Sequence, residues 1–398
     1  MDSADKNKRI RTGTSAAKYL TAAIFMLFIF GMFALNIWET VSDAGGKASV
    51  RSLFKDMESV DCATYPFVNI NGLYQGIMQR DYVYDVDPAN DTVRTAHGQL
   101  ISSSSAVSEE KMAESVAALS ASSEWLEERG IPLIYMQAPS KTSFSPEEAM
   151  PGLRNNTYEK TVAFLEMLDK AGIEYIDTRE WMDDTKEEGF YATDHHWTTE
   201  TCLDMALKLG EYLNEKHGLD ISRSMLDADS YSSVTYKDAF LGAEGRRTGR
   251  YYIGLDDFTV ISPEFDTDFH IEIESRETGH SERDGSFSEA VMVPGKDTEH
   301  YSFDDSAYYK YWGGDYGRVE VTNKRITDGS SAVIIKDSYG IPVSAFLTNM
   351  FGTLNIIDVR YYEGDQSLKE IIEEADPDIV LYIYGPGYLG KKKMFALK

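Results

Sequence analysis

Two stretches far apart in the chain carry side chains whose chemistries complement one another. One is Asp194-His195-His196-Trp197, within Tyr-Ala-Thr-Asp-His-His-Trp-Thr; the other is Ser338, within Ile-Ile-Lys-Asp-Ser-Tyr-Gly. A serine hydroxyl becomes a nucleophile when an imidazole takes its proton, and the imidazole needs a carboxylate on its other nitrogen. Such systems are defined by roles and geometry, not by chain order. The spacing Asp194-x-His196 supplies carboxylate and base, and Ser338 supplies the hydroxyl. Two plainer readings compete. Asp194 is also a good cap for a helix that starts just after it, and Asp-Ser after a strand is a common cap as well. Asp194, His195 and His196 also offer metal-ligand atoms. Three neighbours in sequence do not converge easily on one ion, however, and no His-x-x-x-His or cysteine-rich pattern accompanies them, so no metal is expected.

The elements around these residues favour the catalytic reading. Ala332 to Ile335 reads as a buried strand and Pro342 to Met350 as a helix, which places Ser338 at a strand-to-helix junction. Backbone N–H groups at a helix start are free to hold an oxyanion. Upstream, Met112, Val116, Leu119 and Leu126 follow Ser108-Glu109-Glu110 at helical spacing, and Ile131 to Met136 reads as the next strand. Tyr158 to Lys170 reads as a helix stopped by Gly172, Ile173 to Ile176 as a strand, and Thr198 to Lys216 as a helix. After Ser331 the alternation resumes, with strands at Leu354–Ile357 and Ile379–Ile383 around a helix at Leu368–Ala375. Helices alternating with strands predict a parallel sheet covered on both faces, with ligands gathered at the strands' carboxyl ends. Residues from about 220 to 330, rich in Tyr, Asp, Gly and Ser, read as a mostly β insertion.

These residues resemble the DHHW family and, more broadly, the SGNH-hydrolase-like O-acetyltransferases that modify extracellular polysaccharides, such as the alginate acetylation proteins. Asp337-Ser338-Tyr339 is similar to that group's nucleophile block, although its usual Gly-Asp-Ser is here Lys336-Asp337-Ser338. The segment Phe240 to Gly249 resembles its glycine-and-basic segment, and Asp358-Val359-Arg360-Tyr361 its Asp-x-Arg-Tyr strand end. The resemblance implies a three-layer SGNH-hydrolase-like α/β domain and the triad Asp194, His196 and Ser338. It also implies transfer of an acetyl group to a polysaccharide, with a membrane-bound acyltransferase partner as the source of acetyl groups. Gly313-Gly314-Asp315 is similar to a loop in the family and is a candidate to contribute an oxyanion N–H, or else is a plain turn between strands. The same triad serves an acetylesterase with water as acceptor. A non-catalytic glycan-binding anchor is the third reading. Lys141, Arg246, Arg247 and Arg360 are candidates to bind acidic groups of a glycan, or they offset an acidic surface.

The chain has 398 residues and a formal charge of −27. Tyr19 to Trp38 holds no charged residue, and about twenty apolar residues match the roughly 30 Å of a bilayer core. Lys6, Lys8, Arg9, Arg11 and Lys18 precede it while Glu39 and Asp43 follow, which predicts a single-pass anchor with a cytoplasmic tail. A cleaved signal peptide is the competing reading, but the run is long for one and no Ala-x-Ala site follows. The expected organisation is a tail at 1–18, the span at 19–38, a linker at 39–60 and an extracytoplasmic domain at 61–398. The tail contributes +3, so the rest carries −30, a field that excludes nucleic acid as partner. Neither a Gly-x-Gly-x-x-Gly nor a Walker sequence occurs in a strand-to-helix setting, so no nucleotide cofactor is expected. Cys62 and Cys202, the only cysteines, are open to a disulfide or to free thiols.

Overall fold

The computed structural model describes residues 60–397 apart from 86–89, 146–152, 183–187, 277, 294–297, 299, 302–305 and 328, together with 19–20, 23–27, 30–31 and 34. The expected tail and most of the linker lie outside the described residues. The expected span is helical wherever it is described, but as a continuous element it too lies outside them. Among the described residues no helix is long and apolar enough to cross a membrane.

In chain order, helix α1 (Val60–Ile77) leads to a small antiparallel sheet of β1 (Tyr82–Val83), β2 (Thr92–Arg94) and β3 (Leu100–Ser102). Then come α2 (Glu109–Glu127), β4 (Leu133–Gln137), α3 (Thr157–Ala171), β5 (Tyr175–Asp177) and α4 (Thr199–His217). The marked ends of α2 and α3 fall where the sequence places them, whereas the helix expected at Pro342 to Met350 runs from Gly340 to Leu347. Ser108 caps α2 by accepting from Lys111 N, and Gly172 ends α3 in the left-handed conformation at φ 70°. The middle of the chain gives β6 (Tyr231–Phe240), α5 (Ala243–Thr248), α6 (Arg250–Ile253), β7 (Asp256–Pro263), β8 (Phe269–Ser275), β9 (Gly279–Gly285) and β10 (Arg318–Asn323). The last part gives β11 (Ser331–Lys336), α7 (Gly340–Leu347), β12 (Thr353–Ile357), α8 (Leu368–Ala375) and β13 (Ile379–Tyr384).

The large sheet has the order β5-β4-β13-β11-β12-β10-β8-β9. Its first five strands are parallel, and β10, β8 and β9 continue it antiparallel. The 220–330 region is mostly β as expected, but the expectation of a parallel sheet is corrected to a mixed one. Three strands from the 220–330 region extend the main sheet, and only β6 and β7 form a ribbon of their own. The reason is legible in β8, where Phe269, Ile271 and Ile273 are buried and Glu272 is exposed: an antiparallel strand with one wet face alternates. β9, polar and charged along its length, blunts the sheet edge.

The parallel strands are buried on both faces. In β11 Ala332 and Ile334 join one core while Val333 and Ile335 join the other, and in β13 Leu381 and Ile383 oppose Val380 and Tyr382 in the same way. On the first face α4 and α7 pack through Cys202, Leu203, Leu209, Ile341 and Phe346. On the second, α2, α3 and α8 pack through Leu119, Leu126, Phe164, Leu168 and Ile371. Cys202 carries a free, buried thiol in the first core; the side chain of Cys62 is outside the described residues. A cavity of about 610 Å³ opens where the parallel strands end. It is lined by residues that follow β4 (Ser140, Lys141), β11 (Ser338), β12 (Arg360) and β13 (Tyr388).

Candidate active site

Asp194 lies in a loop closed by its own backbone, with Thr198 N donating to Gly189 O at 2.9 Å and Tyr191 N to His196 O at 3.3 Å. The cap of the following helix is Thr198, whose hydroxyl accepts from Thr201 N. Asp194 is thereby left for other work. Its Oδ1 stands 2.5 Å from His196 Nδ1 and accepts the His196 backbone N–H at 2.9 Å, while Oδ2 accepts from Ala243 N at 2.6 Å. The other ring nitrogen, His196 Nε2, lies 2.9 Å from Ser338 Oγ. Carboxylate, imidazole and hydroxyl thus form one continuous hydrogen-bonded line across 142 positions of sequence.

The segment that follows β6 backs Asp194. Gly242 N donates to Thr193 Oγ1 at 2.7 Å, and Gly245 N to Thr193 O at 2.9 Å. A Cβ on Gly242 would stand 2.6 Å from Asp194 Cα and closer still to its Cβ, so only glycine lets this backbone meet the tetrad.

Ser338 is half-buried between β11 and α7. The turn that carries it is held by Asp337, whose two oxygens accept from Tyr339 N and Gly385 N, both at 2.9 Å. Burial pushes the Asp337 carboxyl up to about 6, against Arg360 and those two N–H groups. Lys336 stands where the resembled families have glycine. The close approach has moved along the chain instead: a Cβ on Gly340 would lie 2.7 Å from Lys336 Cβ. Among the described residues the Ser338 N–H has no protein acceptor, and it lies at the start of α7.

Two aromatic residues complete the site, Tyr339 from the nucleophile block and Tyr308, which the sequence did not mark. Tyr308 stacks on His196 with ring centroids 4.2 Å apart at 17°, and its hydroxyl donates to Ser338 O at 3.0 Å. Tyr339 donates its hydroxyl to His195 O at 2.9 Å and accepts Trp197 Nε1–H on its own carbonyl at 3.0 Å. Nothing in spacing announced Tyr308, which comes from the β-rich middle of the chain. Trp197, Tyr311 and Trp312 are core, whereas Tyr251 is exposed.

The charges of the site are coupled. Burial and the neighbouring His195 cation lower His196 below its ordinary 6.5, against the attraction of Asp194. Burial works to lower His195 too, but the carboxylates of Asp194 and Glu244 prevail and push it up to about 9. Burial opposes ionisation of Asp194, yet the two imidazoles hold it well below the usual carboxylate range. At neutral pH His196 is an uncharged base between an anion and a hydroxyl. Glu244, also missed in the sequence, is buried with Oε1 accepting from Ser102 Oγ at 3.1 Å and lying 3.7 Å from His195 Nδ1.

One ligand atom from each of Asp194, His195 and His196 lies within 4.8 Å of the others, closer than their adjacency suggested. Those of Asp194 and His196 are engaged with one another and with Ser338.

The four basic residues singled out in the sequence have protein partners. Lys141 donates to Leu100 O at 2.7 Å and Ala192 O at 3.1 Å. Arg247 donates to Ser102 Oγ at 2.7 Å, and Arg246 Nε to Leu241 O at 3.2 Å. Arg360 is tied to Asp358 and Asp315, which also face the buried Lys336. Lys141, Arg246 and Arg360 line the cavity; Arg247 does not. Of the Gly313-Gly314-Asp315 loop only Asp315 reaches it.

Residues 99–231, which include the tetrad and stop short of Ser338, match the family model described as SGNH hydrolase-like domain, acetyltransferase AlgX. Bacillus cereus PatB1 with a sulfonyl adduct superposes with a TM-score of 0.63 at 16% identity, over 76% of this chain and 97% of that one. A DHHW family protein from Eubacterium siraeum DSM 15702 superposes with a TM-score of 0.58 at 18% identity, over 80% of this chain and 98% of that one. At such identities the likeness is one of fold. No curated protein sequence matches significantly. The chain is thus similar to the SGNH-hydrolase-like acetyltransferases, with a mixed sheet at its centre.

Proposed function

We propose that the protein is an O-acetyltransferase that acts on an extracellular or cell-envelope polysaccharide through an acetyl-enzyme on Ser338. The observation that carries this is the line Asp194–His196–Ser338, with 2.5 Å and 2.9 Å between its members. The match of residues 99–231 to an acetyltransferase family model supports it. His196 Nε2 takes the hydroxyl proton as Ser338 Oγ attacks the acetyl carbonyl carbon. The bond to the donor's leaving group then breaks, and that proton passes from the imidazolium to the leaving group. In the second half a sugar hydroxyl gives its proton to His196 and attacks the acetyl carbon. Ser338 Oγ departs and regains a proton from the imidazolium. Asp194 orients the imidazole and stabilises its cation. The Ser338 N–H at the start of α7 is one donor to the oxyanion.

In this proposal the apolar run at 19–38 anchors the protein and the site faces outward. Acetyl-coenzyme A is cytosolic and a single helix carries no acetyl group, so a multi-spanning acyltransferase partner delivers it across the membrane. External protease on intact cells then removes the large domain, and protection of that domain overturns the orientation.

The central test is acylation by a small activated acetyl ester, followed by mass spectrometry. Wild-type protein gains one acetyl group at Ser338 and passes it to a glycan acceptor faster than to water. Ser338→Ala gains none and remains folded, since loss of this hydroxyl costs about 1 kcal/mol. An acetylated Ser338→Ala protein, or discharge indifferent to acceptor, defeats the proposal.

A further inference from the structure

The cavity that contains Ser338 is also lined by Ser104, Ser140, Thr142, Thr157 and Lys160. Lys160 is only 8% exposed, and its Nζ donates to Ser104 Oγ at 2.7 Å. Two of the other cations of the cavity stand beside carboxylates. Arg360 is paired with Asp358 and Asp315, and Lys141 faces Glu244, Asp194 and Asp256. Among the described residues no carboxylate pairs with Lys160, and burial alone pulls its ammonium down to about 8. A cation taken out of water without a counter-charge is costly unless something binds it. Hydroxyl groups, which can donate to an anion, line the same cavity. Thr142 Oγ1 lies within 3.4 Å of Ser140 Oγ and accepts Asn155 Nδ2–H at 3.0 Å. The fifteen-residue helix α3 begins at Thr157, whose N–H donates to Asn155 Oδ1 at 3.0 Å, while its cap Asn156 makes no side-chain cap bond. Glu159, the acidic residue of that first turn, is exposed and does not line the cavity.

We propose that Lys160, with Ser104 and the start of α3, binds a single oxyanion substituent, a carboxylate or phosphate ester, on the glycan whose hydroxyl is acetylated at Ser338. This rests on the acetyl-transfer reading above. A chain charged at every residue is disfavoured by the −30 carried after residue 18, whereas an isolated anionic group in a neutral chain meets a local cation. The subsite thus sets which hydroxyl reaches His196 by fixing the anionic group beyond it.

The test compares a neutral oligosaccharide with its uronic-acid and sugar-phosphate counterparts, measuring transfer per acetyl-enzyme formed. Wild-type protein favours an anionic counterpart on the order of tenfold in kcat/KM, the scale of one charge-assisted hydrogen bond. Lys160→Met brings the acceptors within about twofold of one another, and Lys160→Arg keeps the preference. No preference in wild type, or a preference that survives Lys160→Met, overturns the inference. Calorimetry of the same oligosaccharides on Ser338→Ala protein separates the two readings: tighter anionic binding lost in a Lys160→Met, Ser338→Ala double variant supports the subsite even where no acetyl-enzyme forms. Inorganic phosphate that binds equally well while all oligosaccharides bind alike shows a free-anion site and overturns it too.

Discussion

Trp197 donates its indole N–H to the carbonyl of Tyr339 at 3.0 Å, and this bond fastens the loop bearing the base to the turn bearing the nucleophile. The Tyr339 hydroxyl returns a bond to His195 O at 2.9 Å, so the two segments are joined on both sides of the triad. Replacing Trp197 by Phe keeps the buried ring but leaves the Tyr339 carbonyl without its donor. We expect a loss of about 1–3 kcal/mol in stability, and slower acylation of Ser338 by the activated ester. Thermal unfolding and burst kinetics check this. A variant unchanged in both would show that the indole only fills space.

The two histidines are expected to separate by role. His196→Gln removes the base and abolishes acetyl-enzyme formation, whereas His195→Gln leaves most of it. Asp194→Asn keeps the shape but disfavours the imidazolium and the correct tautomer, with a loss of about 10⁴-fold by analogy with the chymotrypsin triad. Single-turnover acylation rates decide. An essential His195 with a dispensable His196 would reverse the assignment.

Acylation requires neutral His196, so its rate falls as pH drops through that group's pKa. Burial and His195 lower this pKa below 6.5, against Asp194 and Glu244, and the acid limb therefore lies below pH 6.5. His195 is a cation at neutral pH, pushed up to about 9. Removing its charge in His195→Gln lets the His196 pKa rise and moves the acid limb to higher pH. A pH–rate profile of both proteins measures the shift. A limb that stays put or moves down would mean that His195 does not act on His196 through charge.

Gly242→Ala forces a methyl group against Asp194. The loop must retreat or Asp194 must leave His196, at a cost of about 1–3 kcal/mol for overpacking. We expect acylation to fall more than stability, because the displaced atoms are those of the triad's carboxylate. Normal acylation in this variant would show that the segment after β6 does not set the position of Asp194.

Much of the scaffold could be read in the sequence because its signals are local. Ser108 and Gly172 mark helix ends through bonds to residues three or four positions away. The both-face burial of Ala332 to Ile335 is stated by an unbroken apolar run. The place of Phe269–Ser275 in the main sheet was not legible, since alternation reports that one face is buried and not against which strand. The residue types of the triad were legible as well, though their meeting depends on contacts 142 positions apart. Tyr308 and Glu244 escaped notice because neither belongs to a spaced pattern; each matters through the ring or imidazole that tertiary packing sets beside it. The acidic partners of Arg360 were hidden for the same reason, although Asp358 is only two residues away.

Strand β13, the last in chain order, lies between β4 and β11 at the middle of the parallel sheet. It separates the half of the molecule that bears the tetrad from the half that bears the serine, and Gly385 just beyond it ties down Asp337. A chain that ends before β13 therefore lacks both the strand that joins β4 to β11 and the N–H that holds Asp337. A fragment cut short of residue 379 has a gap between β4 and β11. The pairing of β13 with β4 joins segments 247 positions apart, a long-range closure that is slow to form, so the turn that holds Ser338 gains its last support late in folding.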